Sequence, residues 1–314
     1  MKKGFSLVEL IVVVGIIGIL SGVLLVSFGG GTASARAARC LSNMKNLANA
    51  VQTCGMATTH YAPAGNSIYM KITEKAGRRA EKMYYEVPGW ISSDSRDMFP
   101  TASYSQPTIV SLYSDDAEAV QYAFTNGALW KYVSQARETY LCPEHARAAR
   151  SGKTGGARPN WSYLMNAYFG YDKQGRAAGS ATAGREQYGN LDKADKRLLF
   201  SEVPFMGYNM WQPEGTAATT DNDAILQYGA QGVDDGGRAS RYKGGGSTSE
   251  EIGVNHLNGR EAVAHVAFAD GHVEKLRVPM NGKRPDTSSF AELTSWLCCG
   301  YDVSFDGKSY NRIR

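Results

Sequence analysis

Apolar positions are concentrated in one unbroken run near the start of the chain. No charged residue occurs from Leu10 to Ala35, and the run Phe5–Phe28 covers 24 residues. A helix of about 20 residues rises about 30 Å, the depth of bilayer hydrocarbon, so the pattern predicts a spanning helix. Lys2 and Lys3 precede it. The positive-inside rule keeps them cytoplasmic and puts the rest of the chain outside. Gly15, Gly18 and Gly22 within the run offer close helix–helix approach. Gly29, Gly30 and Gly31 follow, and their helix-breaking cost of up to about 1 kcal/mol each predicts a kink or an unwound stretch. A three-and-four spacing then resumes at Ala37, Leu41, Met44, Ala48 and Val51, with Arg36, Arg39 and Lys45 off the stripe. It stops near Gly55, and Pro63 lies beyond. Unbroken from Phe5 to Cys54, such a helix would be on the order of 75 Å long.

The remainder reads as one head from His60 to about Met280. Its β-rich runs are Ser162–Tyr168, Arg197–Val203, Ala262–Ala269 and His272–Val278. The last two flank Asp270-Gly271, the signal of a type I′ hairpin. Gly-rich and polar stretches predict loops at Asp172–Asn190 and Pro213–Gly253. Ser289 and Glu292 can form a capping box for a short helix carrying Phe290, Leu293, Trp296 and Leu297. The expected fold is α+β: a long N-terminal helix laid on an antiparallel sheet.

The N-terminus admits three readings. A cleaved secretory signal fits the basic start and the small residues Ala33-Ser34-Ala35, but its apolar core is usually about 7–15 residues. Such a signal would leave an exported enzyme or binding protein beginning at Arg36. A plain anchor explains the length and not Glu9, since a carboxylate costs up to about 2.5–3.5 kcal/mol at the bilayer centre. The third reading accounts for both. Gly4-Phe5-Ser6-Leu7-Val8-Glu9 after a basic leader resembles the processing site of type IV pilins and type II secretion pseudopilins. The resemblance implies that a prepilin peptidase cuts after Gly4 and methylates Phe5, with Glu9 as the acid at mature position five. An amine created at Phe5 in a low-dielectric layer favours a carboxylate partner, and Glu9 can supply it to its own or a neighbouring subunit.

The resemblance extends thinly along the chain. Arg39–Leu47, Gly127–Val133 with Tyr140-Leu141-Cys142-Pro143, Ser162-Tyr163-Leu164-Met165-Asn166, Leu198-Leu199-Phe200-Ser201-Glu202 and Ala267–Val273, which holds Asp270-Gly271, are similar to motifs of a pilin-like subfamily with a C-terminal "H-x9-DG" element. The residues carried over are Cys40, Asn43, Cys142, Pro143, Asn166, His256, Asp270 and Gly271. Here thirteen residues separate His256 from Asp270, so the spacing departs from that element. The implied organisation is a leader at 1–4, a transmembrane and filament-core helix at 5–28, its amphipathic continuation at 29–57, a head at 58–280 and a C-terminal segment at 281–314. The implied function is a structural subunit of a pilus-like filament, a pseudopilin of a type II secretion system or, alternatively, a type IV pilin for adhesion or motility. Implied partners are the prepilin peptidase, copies of itself or other pseudopilins, and an inner-membrane assembly platform. The head would be periplasmic, on an inner-membrane anchor or in a filament.

Composition narrows the remaining chemistry. With 34 Lys+Arg against 30 Asp+Glu the net charge is +4, too weak to argue for nucleic acid. No G-x-S-x-G, P-loop or H-E-x-x-H occurs, so no enzyme is expected. His256, His265 and His272 with Asp270 invite a metal, but His265 and the His272 end of the hairpin lie about 13 Å apart along a strand, so none is expected there. Asp221, Asp223, Asp234 and Asp235 offer oxygen ligands for calcium without the spacing of a calcium-binding hand. No other cofactor is expected. Five cysteines leave at least one unpaired. Cys40 or Cys54 with Cys142 would staple the helix to the head, and adjacent Cys298 and Cys299 are badly placed to bond each other.

Overall fold

The computed structural model describes residues 7–57, 63, 68–76, 79–87, 89–91, 112–151, 158–166, 169, 193–204, 225–226, 252–258, 261–282, 284–286, 290–298 and 300–313. Gly4 and Phe5, the two expected loops apart from Ile225–Leu226 and 252–253, the four loop aspartates, Ser289 and Cys299 lie outside these residues.

One helix, α1, runs from Leu7 to Ala57. It is helical through Gly29–Gly31, which corrects the expected unwound stretch. The glycine cost is local, whereas propagation of an existing helix adds a hydrogen bond for each residue fixed, so long flanking helices carry the soft triplet. The two ends of α1 differ in what surrounds them. Between Leu7 and Ile19 the large apolar side chains are 47–73% exposed. From Cys40 onward one face is buried by the head: Cys40, Asn43, Met44, Leu47, Ala48, Val51 and Cys54. The stripe expected from the sequence lies on this face, although Ala37 and Leu41 are only half-buried. Among the described residues no helix is long and apolar enough to cross a membrane. The described side chains of the exposed arm end short of the apolar run, because those of 20 and 22–30 are not among them.

Strands β1 (Ile68–Ala76) and β2 (Arg79–Val87) form a separate antiparallel hairpin that the sequence reading did not foresee. After it come α2 (Ala117–Thr125), two short 3-10 turns at Trp130–Val133 and Arg137–Tyr140, and α3 (Pro143–Arg150). Asp116 caps α2 by accepting from the backbone of Glu118 and Ala119. Pro143 opens α3 at a position whose N–H has no helical partner anyway. Trp90, Phe124, Tyr140, Trp161 and Phe200 pack ring against ring beneath these turns, with centroids 4.9–6.4 Å apart.

The main sheet has six strands. They are β3 (Tyr163–Asn166), β4 (Leu198–Glu202), β5 (Ile225–Leu226), β6 (Val254–Asn258), β7 (Glu261–Phe268) and β8 (Val273–Val278). Four of these match the β-rich runs of the sequence. Strand β5 falls inside the expected 213–253 loop and pairs parallel with β3, so the sheet is antiparallel except at that edge. Strand β7 is central. One edge pairs with β8 along most of its length. Its other edge is shared: β4 pairs at 266–268 and β6 at 261–264, so β4 and β6 lie end to end. Both pairings carry a register shift, between Leu198 and Phe200 and between Val254 and His256.

The end-to-end junction needs glycine. A Cβ on Gly253 would sit 2.7 Å from the carbonyl oxygens of Glu202 and Val203, both backbone atoms. Gly253→Ala is therefore expected to destabilise the fold by about 1–3 kcal/mol, the usual cost of forcing atoms into a filled site. The midpoint of urea unfolding checks this, and an unchanged midpoint would contradict it.

The β7–β8 turn is not the expected type I′. Asp270 keeps a negative φ and only Gly271 is left-handed, at φ 89°. Gly271 N–H donates to the Phe268 carbonyl, giving a three-residue loop with a glycine bulge. The turn abuts α1: Lys45 Nζ donates to the Gly271 carbonyl at 2.6 Å, and a Cβ on Gly271 would meet the Gln52 amide at 2.7 Å. The C-terminal helix α4 (Phe290–Cys298) buries Leu293 and Leu297 and half-buries Trp296. It packs on β4 and on the small hairpin β11 (Val303–Phe305) and β12 (Tyr310–Arg312). Between β8 and α4 lies a two-residue pairing of β9 (Met280–Asn281) with β10 (Arg284–Pro285).

Candidate functional site

Two features stand out. The first is the N-terminal arm of α1. Ten large apolar side chains lie exposed between Leu7 and Ile19, with Glu9 in the first described turn. Exposed apolar surface of this extent on one rod marks a contact with lipid or with other protein. The arm carries no other charge, because the sequence holds none between Leu10 and Ala35.

The second is a buried polar cluster where α1 crosses the sheet. Cys40 comes from α1, Cys142 from the start of α3, Glu202 from the last residue of β4, His256 from β6 and His265 from β7. The end-to-end placement of β4 and β6 along β7 brings Glu202 and both histidines to one spot. All five are buried, with Glu202 fully so and His265 1% exposed. Glu202 Oε1 accepts from Cys40 Sγ at 2.7 Å and lies 2.8 Å from His256 Nε2. Cys142 Sγ is 3.7 Å from the same nitrogen. The two imidazole rings stack with centroids 4.0 Å apart. Tyr163, from β3, sets its hydroxyl 3.4 Å from Cys40 Sγ.

Burial by itself would push the Glu202 carboxyl up. The charges of His256 and His265 and the hydrogen bonds from His256 and Cys40 outweigh it and hold the group at about 2. Burial works the other way on His256, yet the adjacent Glu202 charge and the bonds to Cys142 and Glu202 raise it to about 10. His265, where burial dominates, drops to about 4. Burial and the neighbouring Cys142 and Glu202 raise the Cys40 thiol. On Cys142, burial is outweighed by the bonds from Cys40 and His256, so its thiol is lowered. The cluster therefore holds an ionised carboxylate beside a protonated imidazole. It brings a thiol, a carboxylate and two imidazoles within reach of one point: ligand atoms of Cys40, Glu202, His256 and His265 all lie within 4.8 Å of one another.

The structure places the motif residues as follows. Cys40, Cys142 and His256 are in the cluster. Asn43, one turn from Cys40, donates from Nδ2 to the carbonyls of Glu138 and Leu141, which fastens α1 to the turn before α3. Asn166 donates to the carbonyls of Leu198 and Cys298, tying β3 to β4 and α4. Asp270 and Gly271 are at the hairpin tip, where Asp270 pairs with His272. His256 and Asp270 thus do not form one site. Glu202 and His265 were missed as members of one site because distance was reckoned along β7 and β8 toward His272, whereas β6 sets His256 beside His265 across the ladder. Cys40, not Cys54, is the stalk cysteine that meets Cys142.

Beside the cluster, His145 of α3 is fully buried, with Ser162 Oγ at 3.0 Å and Tyr113 Oη at 3.2 Å. Burial lowers it to about 3 from 6.5. The folded pKa lies below the unfolded one, so between these values the unfolded chain binds the extra proton. Stability is full above about pH 6.5 and falls by up to about 1.4 kcal/mol per pH unit as pH drops toward 3. His145→Gln should flatten that limb of a stability–pH curve; an unchanged slope between pH 6.5 and 4.5 would contradict it.

Compared with known proteins, residues 1–25 match the family described as the prokaryotic N-terminal methylation motif. No curated protein and no solved structure matches the chain.

Proposed function

We propose that this chain, whose residues 1–25 bear the signature of type IV pilin and pseudopilin precursors, is a non-enzymatic filament subunit of a type II secretion system. It is cut after Gly4 by a prepilin peptidase, methylated at Phe5 and held in the inner membrane by the apolar run Phe5–Phe28 with the head in the periplasm. Withdrawn from lipid, the arm buries its apolar side chains against those of neighbouring subunits. The hydrophobic contribution is on the order of 25 cal/mol per Å² of apolar surface covered.

The observation that carries this reading is the continuity of α1. One rod presents bare Leu, Val and Ile side chains at its methylation-motif end and is gripped by the head from Cys40 to Cys54. Arg36 adds an outer grip by pairing with Glu144 at 2.6 Å, which Arg147 also contacts. Pulling force applied to the arm would thus reach the head through one unbroken helix.

The motif serves secretion pseudopilins and adhesive pilins alike. A strain deleted for this chain separates them. Loss of protein export with surface fibres and adhesion intact supports the secretion assignment; loss of surface fibres with export intact would replace it by the pilin reading.

A further inference from the structure

The buried cluster does more than a hydrogen-bonded core needs. Glu202 uses Oε1 twice, for Cys40 and His256, while Oε2 has no hydrogen-bond partner. His265 Nδ1 also has none, and it faces that oxygen at 3.8 Å. A fully buried carboxylate oxygen and a buried imidazole nitrogen therefore converge on the same point with no bond between them. Buried polar atoms left this way are uncommon, and each asks for a partner. A third group that accepts electron pairs from both would satisfy them together with the Cys40 sulfur and the His256 nitrogen.

We propose that Cys40 Sγ, the Glu202 carboxylate, His256 Nε2 and His265 Nδ1 bind one Zn²⁺ ion, which clamps the stalk helix to the sheet. Four donors at zinc bond lengths of about 2.0–2.3 Å stand about 3.3–3.6 Å apart in a tetrahedron. Cys40 Sγ and His256 Nε2 lie 2.7 and 2.8 Å from Glu202 Oε1, His265 Nδ1 lies 3.8 Å from Glu202 Oε2, and one ligand atom from each of the four residues falls within 4.8 Å of the others. Metal entry replaces the two short hydrogen bonds and draws the wider pair together.

Charge and donor type agree. A thiolate, a carboxylate and two neutral imidazoles cancel the dication, leaving a neutral buried site. Sulfur with imidazole selects zinc over magnesium or calcium, whose ligands are oxygens. The surrounding groups are also placed to orient the ligands: the Tyr163 hydroxyl lies 3.4 Å from Cys40 Sγ, and Cys142 Sγ lies 3.7 Å from His256 Nε2. Cys142 supports the site from outside the bonded set. The four ligands come from α1, β4, β6 and β7, far apart in the chain, so one ion would pin the arm's root to three strands at once. The inference is independent of which filament the chain builds.

The full chain is purified in detergent from cells grown with zinc, and its metal is counted by elemental analysis. Cobalt replaces zinc by refolding, and the ultraviolet sulfur-to-cobalt charge-transfer band reports the thiolate. The account expects about one zinc per chain. It expects the cobalt band in wild type and in Cys142→Ser, and its loss in Cys40→Ser. His265→Gln should lower zinc affinity by at least about tenfold. Where a variant melts, native-state thiol alkylation provides the second reading: zinc should protect Cys40 in wild type, and chelation at mild denaturant should expose it. Wild type carrying less than a tenth of an equivalent, or a Cys40–Cys142 disulfide found by peptide mapping, would overturn the proposal. So would a cobalt band that survives Cys40→Ser.

Discussion

Glu9→Ala protein should be cut and methylated normally yet fail to polymerise, with filaments reduced by at least about tenfold. On the proposed function, processing would create an amine at Phe5 in the same apolar layer that receives the arm, and an uncompensated charge there would cost several kcal/mol. Glu9 is the acid in the first described turn of α1, and the sequence carries no other charge until Arg36. A neighbouring subunit that enters in the correct register lets Glu9 meet that amine; other registers leave both unpaired. Glu9→Gln, which keeps the shape and removes the charge, should behave like Glu9→Ala. Membrane fractionation, the N-terminal mass and sheared-filament yield are the readouts. Normal filament yield from either variant would show that Glu9 does not set the register.

Glu202→Ala should cost about 3–5 kcal/mol, the usual penalty for removing one partner of a buried ion pair. Glu202 accepts from Cys40 and pairs with His256 in a site where none of the three is more than 6% exposed. Without it, His256 must give up its proton or stay charged in the core, and Cys40 loses its acceptor. For a domain of this size that loss lowers the melting temperature by on the order of 10 °C. Glu202→Gln should fall between wild type and Glu202→Ala, because the amide retains a hydrogen-bonding oxygen but not the charge. Thermal unfolding of the detergent-solubilised chain after metal removal by a chelator measures both. A Glu202→Ala melting temperature within about 2 °C of wild type would contradict the ion-pair account.

Much of the architecture was legible because it rests on local signals. The 3.6-residue stripe at Met44, Ala48 and Val51 marked the buried face of α1, and the apolar runs around Leu164, Leu199 and Val266 marked central strands. Asp270-Gly271 marked a hairpin, although the turn type depends on Asp270's own φ, which composition does not set. The hairpin Ile68–Val87 was missed because its mixed Lys, Glu and Arg content weakens the alternation that advertises a strand. Persistence of helix through Gly29–Gly31 is a cooperative effect of flanking turns, invisible to residue-by-residue propensity. The arm was readable as a unit because its residues are contiguous.

The cluster was not readable for the opposite reason. Cys40, Cys142, Glu202, His256 and His265 come from five elements, and two features bring them together. One is the sharing of one β7 edge by β4 and β6. The other is the shift between Val254 and His256 that sets the register of β6. The sequence singles out Cys40, Cys142 and His256 and relates only the two cysteines, as a staple of helix to head. Glu202 stood at the end of the motif run Leu198–Glu202 with no role assigned to it. Only the ladder shows that it faces inward.

The central claim is that the chain is matured at Gly4–Phe5 and works through the rod that this cut releases. Intact-mass and N-terminal peptide analysis of the native protein, from cells with and without the prepilin peptidase, tests it most directly. The account predicts a chain beginning at N-methylated Phe5 when the peptidase is present and at the uncut leader when it is absent. A native chain that keeps residues 1–4 in the presence of the peptidase, or one that begins at Arg36, would contradict it.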